Sequence, residues 1–267
     1  MKKLATALVS AAAIMTMPTT AFAAENPAEV FDRVMEKNNT IQSAEIQSGV
    51  HSVILAKDVI PDGQMKVDMA MHAEMDMQDT TDLKYLAQVA SSILGQDSYS
   101  QVFYTDGYYY VDSNGVKLKY PMPLEQIISS VQTGVNTSNM ESSYMKGISL
   151  NEVNGKRVLA YEANPKKLNK NVKEALGTVM NTLGTDVNLD MNIQEMKGAY
   201  VLDDNDYIIY MTNYIVYNME VLDQPMTCIT LTEVQNPGEP VVVTLPSTDG
   251  YEDLIGLYDG VIESEVE

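Results

Sequence analysis

Met69, Met71, Met75 and Met77, with His72 among them, are the side chains whose types and spacing come nearest to a chemical centre in this chain. Thioethers are soft donors that suit Cu(I), and alternate side chains of an extended segment share a face, so adjacent sulfurs can converge. His72 falls on the opposite face. The same residues have a plainer use. From Met65 to Met77 the chain reads MKVDMAMHAEMDM, apolar at every odd position and polar or charged at the even ones except Ala70. Period-two alternation of that length marks a β-strand with one wet and one buried face. Methionine is unbranched and polarizable, so a face built from it suits apolar partners of variable shape. A methionine-lined apolar surface is the preferred reading, and an extracellular Cu(I) carrier is the alternative.

Little else points to catalysis. There are two histidines, His51 and His72, one cysteine, Cys228, and no tryptophan. The sequence holds no Gly-x-Ser-x-Gly elbow, His-Glu-x-x-His pair, paired-cysteine metal site or phosphate loop. Carboxylates are plentiful, but none is set apart by its surroundings, so neither an enzyme nor a cofactor is expected. Cys228 lies in the apolar run 226–234 and reads as a small core residue. Lys166, Lys167, Lys170 and Lys173 form the one dense basic cluster outside the N-terminus. Three of them, Lys166, Lys170 and Lys173, share a helix face, which suits plain solvation or docking to an anionic envelope component. An envelope scaffold or sensory module is therefore a further alternative. Tyr104, Tyr108, Tyr109, Tyr110 and Tyr120 can stack on sugar rings, but tyrosine is also an ordinary strand residue, and that structural role is preferred.

The N-terminus reads as an export signal. Lys2 and Lys3 precede a short apolar stretch from Leu4 to Met15, Pro18 breaks it, and Ala21-Phe22-Ala23 fits small-x-small cleavage. The stretch is too short to span a bilayer as an ordinary helix. No cysteine follows it, so no lipid anchor is expected, and the reading is a secreted, soluble monomer. The chain carries 17 basic and 37 acidic residues, a net charge of −20, and loses two of its lysines with the leader. Such a surface repels nucleic acid and anionic lipid head groups. The organisation expected is a signal peptide over 1–23, one domain over 24–246 and an acidic tail over 247–267 that moves freely.

These residues must be placed by elements, and the punctuation is clear. Asn26-Pro27 with Glu29 opens a helix that fades near Asn38-Asn39. Ile46, Val50 and Ile54 mark a strand with His51 on its other face, and Pro61-Asp62-Gly63 turns it into the methionine strand. Leu83, Leu86, Ala87, Ala90, Ile93 and Leu94 repeat at helical spacing before Gly95, which predicts an amphipathic helix. Its polar brackets and its small residues Ala87 and Ala90 suggest a movable lid over the methionine strand. A tyrosine-rich meander follows over 102–120, then a short helix over 124–131 and a loop over 135–143. Asn154-Gly155 turns a hairpin between 148–153 and 156–163. Asn164-Pro165 opens the longest helix, closed by Gly184. Val187 to Gln194 alternates and slips at Glu195-Met196, which signals a bulge. Asp203 to Asp206 turns the chain into a strand over 207–221, and 226–234 and 241–245 are the last two strands.

Long strands joined directly by turns predict an antiparallel sheet. Long twisted sheets curl, and about four helices would cover this one only in part. The segment Tyr200-Val201-Leu202-Asp203-Asp204-Asn205-Asp206-Tyr207 is similar to the strand–Asp-rich turn–strand hairpin of the LolA/LppX-like superfamily of bacterial lipoprotein and lipid carriers. The closing run Gly238-Glu239-Pro240-Val241-Val242-Val243-Thr244-Leu245-Pro246 resembles that superfamily's Gly-x-Pro ending. The likeness extends to its uncharacterised secreted Gram-positive relatives. Many members carry a lipid-anchor cysteine after the signal peptide, and this chain has none there. The resemblance implies an α+β fold with a strongly curved antiparallel sheet, an open half-barrel partly covered by amphipathic helices. It implies an apolar cavity and does not imply an enzyme. The residues expected to line the cavity are Met65, Met69, Met71, Met75, Met77, Leu86, Ala90, Ile93, Met191, Ile209 and Met211, and the expected ligand is a lipid or other apolar small molecule.

Overall fold

Asn26 opens the first helix as its side chain dictates. Its Oδ1 accepts from the Ala28 N–H, a donor that the first turn leaves unpaired, and its amide donates to the Glu29 carboxylate, both at 3.1 Å. The structure is a computed structural model that describes residues 25–55, 64–79, 83–93, 95–124, 140–170, 191–219 and 225–254. The helix, α1 (Pro27–Asn38), buries Val30, Phe31, Val34 and Met35. The leader, the turn at 61–63, the short helix beyond Leu124, the loop 135–139, residues 171–190 with Lys173, and the tail beyond 254 lie outside the described residues.

Twelve strands follow: β1 (Ser43–Leu55), β2 (Gln64–Asp76), β3 (Lys84–Ile93), β4 (Gln96–Thr105), β5 (Tyr108–Ser113), β6 (Val116–Pro121), β7 (Met145–Val153), β8 (Lys156–Ala163), β9 (Met191–Leu202), β10 (Ile208–Met219), β11 (Met226–Gln235) and β12 (Glu252–Asp253). They join one open sheet in the order β12-β6-β5-β4-β3-β2-β1-β11-β10-β9-β8-β7. Neighbours pair antiparallel from β3 to β6 and from β7 to β11, while β12 pairs with β6 in parallel. The fold class is thus the expected one, α+β with a large, open, mainly antiparallel sheet. The tight turns are those the sequence demands. Asn114-Gly115 and Asn154-Gly155 have positive φ at both positions, 52° and 88°, then 53° and 74°, which an Asn-Gly hairpin needs.

Three expectations are corrected. Residues 84–93 form β3 and not a helix, so the helical lid does not exist; nine consecutive residues, Tyr85 to Ile93, pair with β4. Residues 241–245 form no strand and join no ladder. The start of the acidic tail is tied down, because Tyr251 is buried and Glu252–Asp253 pair with β6. Among the described residues the helical segments are α1, residues 165–170 and the 3₁₀ turn Ser142–Tyr144.

The contacts divide the chain into two compact units, with β1 and β2 running through both. In the first, α1 lies on β7–β10. Val30, Phe31, Val34 and Met35 pack with Leu150, Leu159, Tyr161, Tyr200 and Leu202, and Phe31 meets Tyr161 edge-on at 5.8 Å between centroids. An ionic clamp through Arg33 holds that helix to the β9–β10 turn. Asp206 accepts from Arg33 at 2.9 Å and from Arg157 at 2.5 Å, and Glu25 pairs with both arginines. In the second unit, Leu86, Phe103 and Tyr110 share one face of β3–β5 and are covered by Val243 and Tyr251. Tyr251 stands edge-on to Tyr110 at 5.1 Å and to Phe103 at 5.6 Å.

Candidate ligand-binding face

The sheet face of the first unit that carries α1 continues past the helix. Register places its side chains in rows across the strands. Leu150, Leu159, Tyr200, Met211 and Thr232 form one row from β7 to β11. Ile148, Tyr161, Gly198, Asn213 and Thr230 form the next, and Met196, Ile215 and Cys228 the one after. Tyr217, opposite Met226 and Ile193, extends the apolar surface further. The β7–β9 end of these rows is closed by α1. Toward β10 and β11 the cover thins, and Met196, Met211, Ile215, Tyr217, Met226 and Cys228 are half-buried. Burial raises the Tyr217 phenol above its ordinary pKa, with Cys228 adding to it.

A polar row crosses this apolar face. The Tyr161 hydroxyl donates to Asn213 Oδ1, and Asn213 Nδ2 donates to Thr230 Oγ1 at 3.2 Å. Beside them Ser48 Oγ and Thr232 Oγ1 share a hydrogen bond of 2.9 Å. Gly198 makes the row possible, because a Cβ there would lie 2.6 Å from Asn213 Oδ1 and 2.7 Å from the Tyr161 hydroxyl. Burial lifts the Tyr161 phenol well above 10, with Tyr200 next to it adding to the shift, and burial pushes Tyr200 up to about 12. Both rings therefore stay neutral hydrogen-bonding groups.

Two bulges shape the same strands. Val216 pairs with Glu195 and Tyr217 with Ile193, leaving Gln194 without a partner, next to the slip read at Glu195-Met196. Ile209 is skipped in the same way.

The residues expected to line one cavity belong to both units. Met211 is on the apolar face just described, and Ile209 is the bulged, half-buried residue of β10. Met75 and Met77 are buried in the second unit, Met71 is half-buried, and Met69 is 40 % exposed. Leu86 is in the Phe103 cluster, and Ala90 shares its side of β3 but is exposed. Ile93, 44 % exposed, points from the opposite side, which the pairings Ala90↔Tyr99 and Ile93↔Gln96 require. Met65 and Met191 take their places in β2 and β9. Tyr161, Met196, Gly198, Asn213, Ile215, Tyr217 and Thr230 were not foreseen. Their one sequence signal is a glycine and an asparagine in the middle of long strands, where neither is favoured.

The remaining candidate chemistry is separate. His51 Nδ1 meets Asp68 at 2.5 Å in the first unit, and His72 Nε2 meets Glu45 at 3.1 Å in the second, both on the polar side of β1 and β2. Among the described residues no three His, Cys, Asp or Glu side chains cluster as a metal site. Lys166, Lys167 and Lys170 are exposed, with Lys167 donating to the Ser143 carbonyl at 2.7 Å. The tyrosines divide by face. Tyr108 and Tyr110 belong to the Phe103 cluster, whereas Tyr85, Tyr104, Tyr109 and Tyr120 form one row across β3–β6 on the other side. No described helix is long and apolar enough to cross a membrane.

The fold is a large, open, mainly antiparallel sheet whose first unit carries an apolar face half covered by α1. The chain belongs to a family of unknown function, DUF6612, whose pattern matches residues 26–235. No curated protein matches it. Among solved structures it is similar to LprF from Mycobacterium bovis, with 10% identity, a TM-score of 0.38 and coverage of 83% of this chain and 97% of that one. It is similar to the lipoprotein LppX of Mycobacterium tuberculosis at 10% identity, TM-score 0.40, over 82% of this chain and all of that one, 100%. The ywiB protein of Bacillus subtilis aligns at 11% identity and TM-score 0.23, over 75% and 99% of the two chains.

Proposed function

We propose that this protein is an exported, non-enzymatic binder of a lipid or other apolar small molecule, held on the face of β9–β11 that α1 leaves half covered. The observation that carries the reading is the run of half-buried Met196, Met211, Ile215, Tyr217, Met226 and Cys228 in adjoining rows. Apolar surface of this kind costs roughly 25 cal/mol per Å² to keep in water, so an apolar molecule laid on it is stabilised in proportion to the area it covers. Three of the six are methionines, whose flexible tips let one surface fit acyl chains of different shape. The leader-like N-terminus and the acidic balance fit a soluble carrier outside the cytoplasm. The test is native mass spectrometry of the protein purified from its own host. An added mass that leaves on mild activation and extracts into organic solvent supports the reading. Bare protein in repeated preparations, together with no uptake of N-phenyl-1-naphthylamine, contradicts it.

A further inference from the structure

The polar row has more hydrogen-bond donors than it uses. Tyr161 spends its one O–H on Asn213 Oδ1. Asn213 spends one of its two N–H bonds on Thr230 and keeps the other. Thr230 accepts there and keeps its own proton. Of the two hydroxyl protons on Ser48 and Thr232, one lies between the oxygens and one is left. Counted among the described residues, three donors therefore remain on a half-buried patch in the middle of an apolar sheet face. The row of Tyr161 and the rows on either side of it carry no charged side chain. Donors in a poorly hydrated place are worth most when an acceptor meets them, and they cost stability when none does. A carboxylate or phosphate brought onto the same rows would find no cation to offset its lost hydration.

We propose that Asn213, Thr230 and the Ser48–Thr232 pair form a polar seat for one acceptor oxygen of an uncharged ligand, an ester or amide carbonyl, whose hydrocarbon lies along Ile215, Cys228 and Tyr217. The seat sets which apolar molecules are kept, and the rows around it supply the bulk of the affinity. The inference rests on the apolar binding proposed above, and the two fail separately.

The test is displacement of N-phenyl-1-naphthylamine from the purified protein by three probes of matched chain, methyl oleate, 1-heptadecene and oleate at pH 8. Each hydrogen bond to a neutral acceptor is worth about fivefold in affinity. Methyl oleate is expected to displace the dye at least about fivefold more tightly than heptadecene, and oleate more weakly than its ester. In Thr230→Val, which keeps the shape and removes the hydroxyl, the ester-to-hydrocarbon ratio falls several-fold. Ser48→Ala, further from Tyr161, lowers the ratio in the same direction and covers the case in which Thr230→Val folds poorly. Equal displacement by ester and hydrocarbon in the unsubstituted protein overturns the seat but leaves apolar binding standing. A ratio unchanged in both variants, or oleate binding tighter than methyl oleate, also overturns it. Failure of the dye to bind at all overturns the binding reading itself.

Discussion

Gly198→Ala should damage this protein far more than a single methyl group suggests. The added Cβ would lie 2.5 Å from the Thr212 carbonyl oxygen, 2.6 Å from Asn213 Oδ1 and 2.7 Å from the Tyr161 hydroxyl. The first of these is backbone of the paired strand and cannot swing aside. Overpacking of this kind costs about 1–3 kcal/mol. Displacing Asn213 also strips the buried Tyr161 hydroxyl of its acceptor, which costs about 1–3 kcal/mol. Alanine recovers about 0.5–1 kcal/mol of the chain entropy that glycine loses on folding. The net expectation is a loss of about 2–4 kcal/mol, or a fall in melting temperature of roughly 5–15 °C for a protein of this size. Far-ultraviolet circular dichroism on heating measures it. Gly147→Ala is the matched control, because nothing lies within 4 Å of its Cβ and its φ is not in the left-handed region. It should be neutral or slightly stabilising. A Gly198→Ala protein that melts with or above the unsubstituted one would refute the close approach of Tyr161, Asn213 and the Thr212 backbone.

Four further outcomes are expected. Phe31→Ala, which empties the contact between α1 and Tyr161, should cost about 3–5 kcal/mol by urea denaturation, and a loss below about 1 kcal/mol would deny that α1 closes this core. Tyr251→Ala should destabilise the second unit by about 3 kcal/mol, read from hydrogen exchange of β4 and β5; unchanged exchange would mean that the tail segment is not docked. Alkaline stability follows from the buried phenols. Tyr161 and Tyr200 have folded pKa values above the ordinary 10, so their contribution is full below pH 10 and is lost as pH rises through about 12. Tyrosinate absorbance should therefore show two phases, the later one coincident with unfolding, and all tyrosines titrating near 10 in a folded protein would contradict their burial. Asp206→Ala should cost more than Asp206→Asn, because the residue sits at φ 66° and asparagine tolerates that conformation; equal losses by thermal melt would place the whole effect in the Arg33 and Arg157 ion pairs.

The local punctuation of this fold could be read directly, because its causes are local. β2 shows period two over its full length, and the Asn-Gly turns need positive φ that few other residue pairs supply. β3 misled for a physical reason. Leu83, Leu86, Ala87 and Ala90 satisfy helical spacing, and both faces of this strand are partly buried, so the alternation is blurred. Gly95, at φ 78°, serves a hairpin turn as well as it would end a helix. Pairing with β4 through Tyr85 to Ile93 then overrides the weak helical preference. Residues 241–245 alternate as a strand should, with Val243 buried and Val242 88 % exposed, but the Val241 N–H goes to the Ser43 hydroxyl. The polar row was out of reach for the opposite reason. Tyr161, Gly198, Asn213 and Thr230 come from four strands, and only sheet register brings them into line.

The most direct measurement of the central claim is a titration of N-phenyl-1-naphthylamine against the unsubstituted protein and against Tyr217→Glu and Met226→Glu, with Val116→Glu as the control in the second unit. Val116 is 62 % exposed on β6, and Tyr217 and Met226 face each other across β10 and β11 on the half-covered face. Burying a carboxylate under an apolar ligand costs several kcal/mol. The expected result is saturable dye binding that Val116→Glu keeps and that the other two lower at least tenfold with the fold intact by circular dichroism. Dye binding that survives both substitutions in the first unit would contradict the assignment of the site to this face.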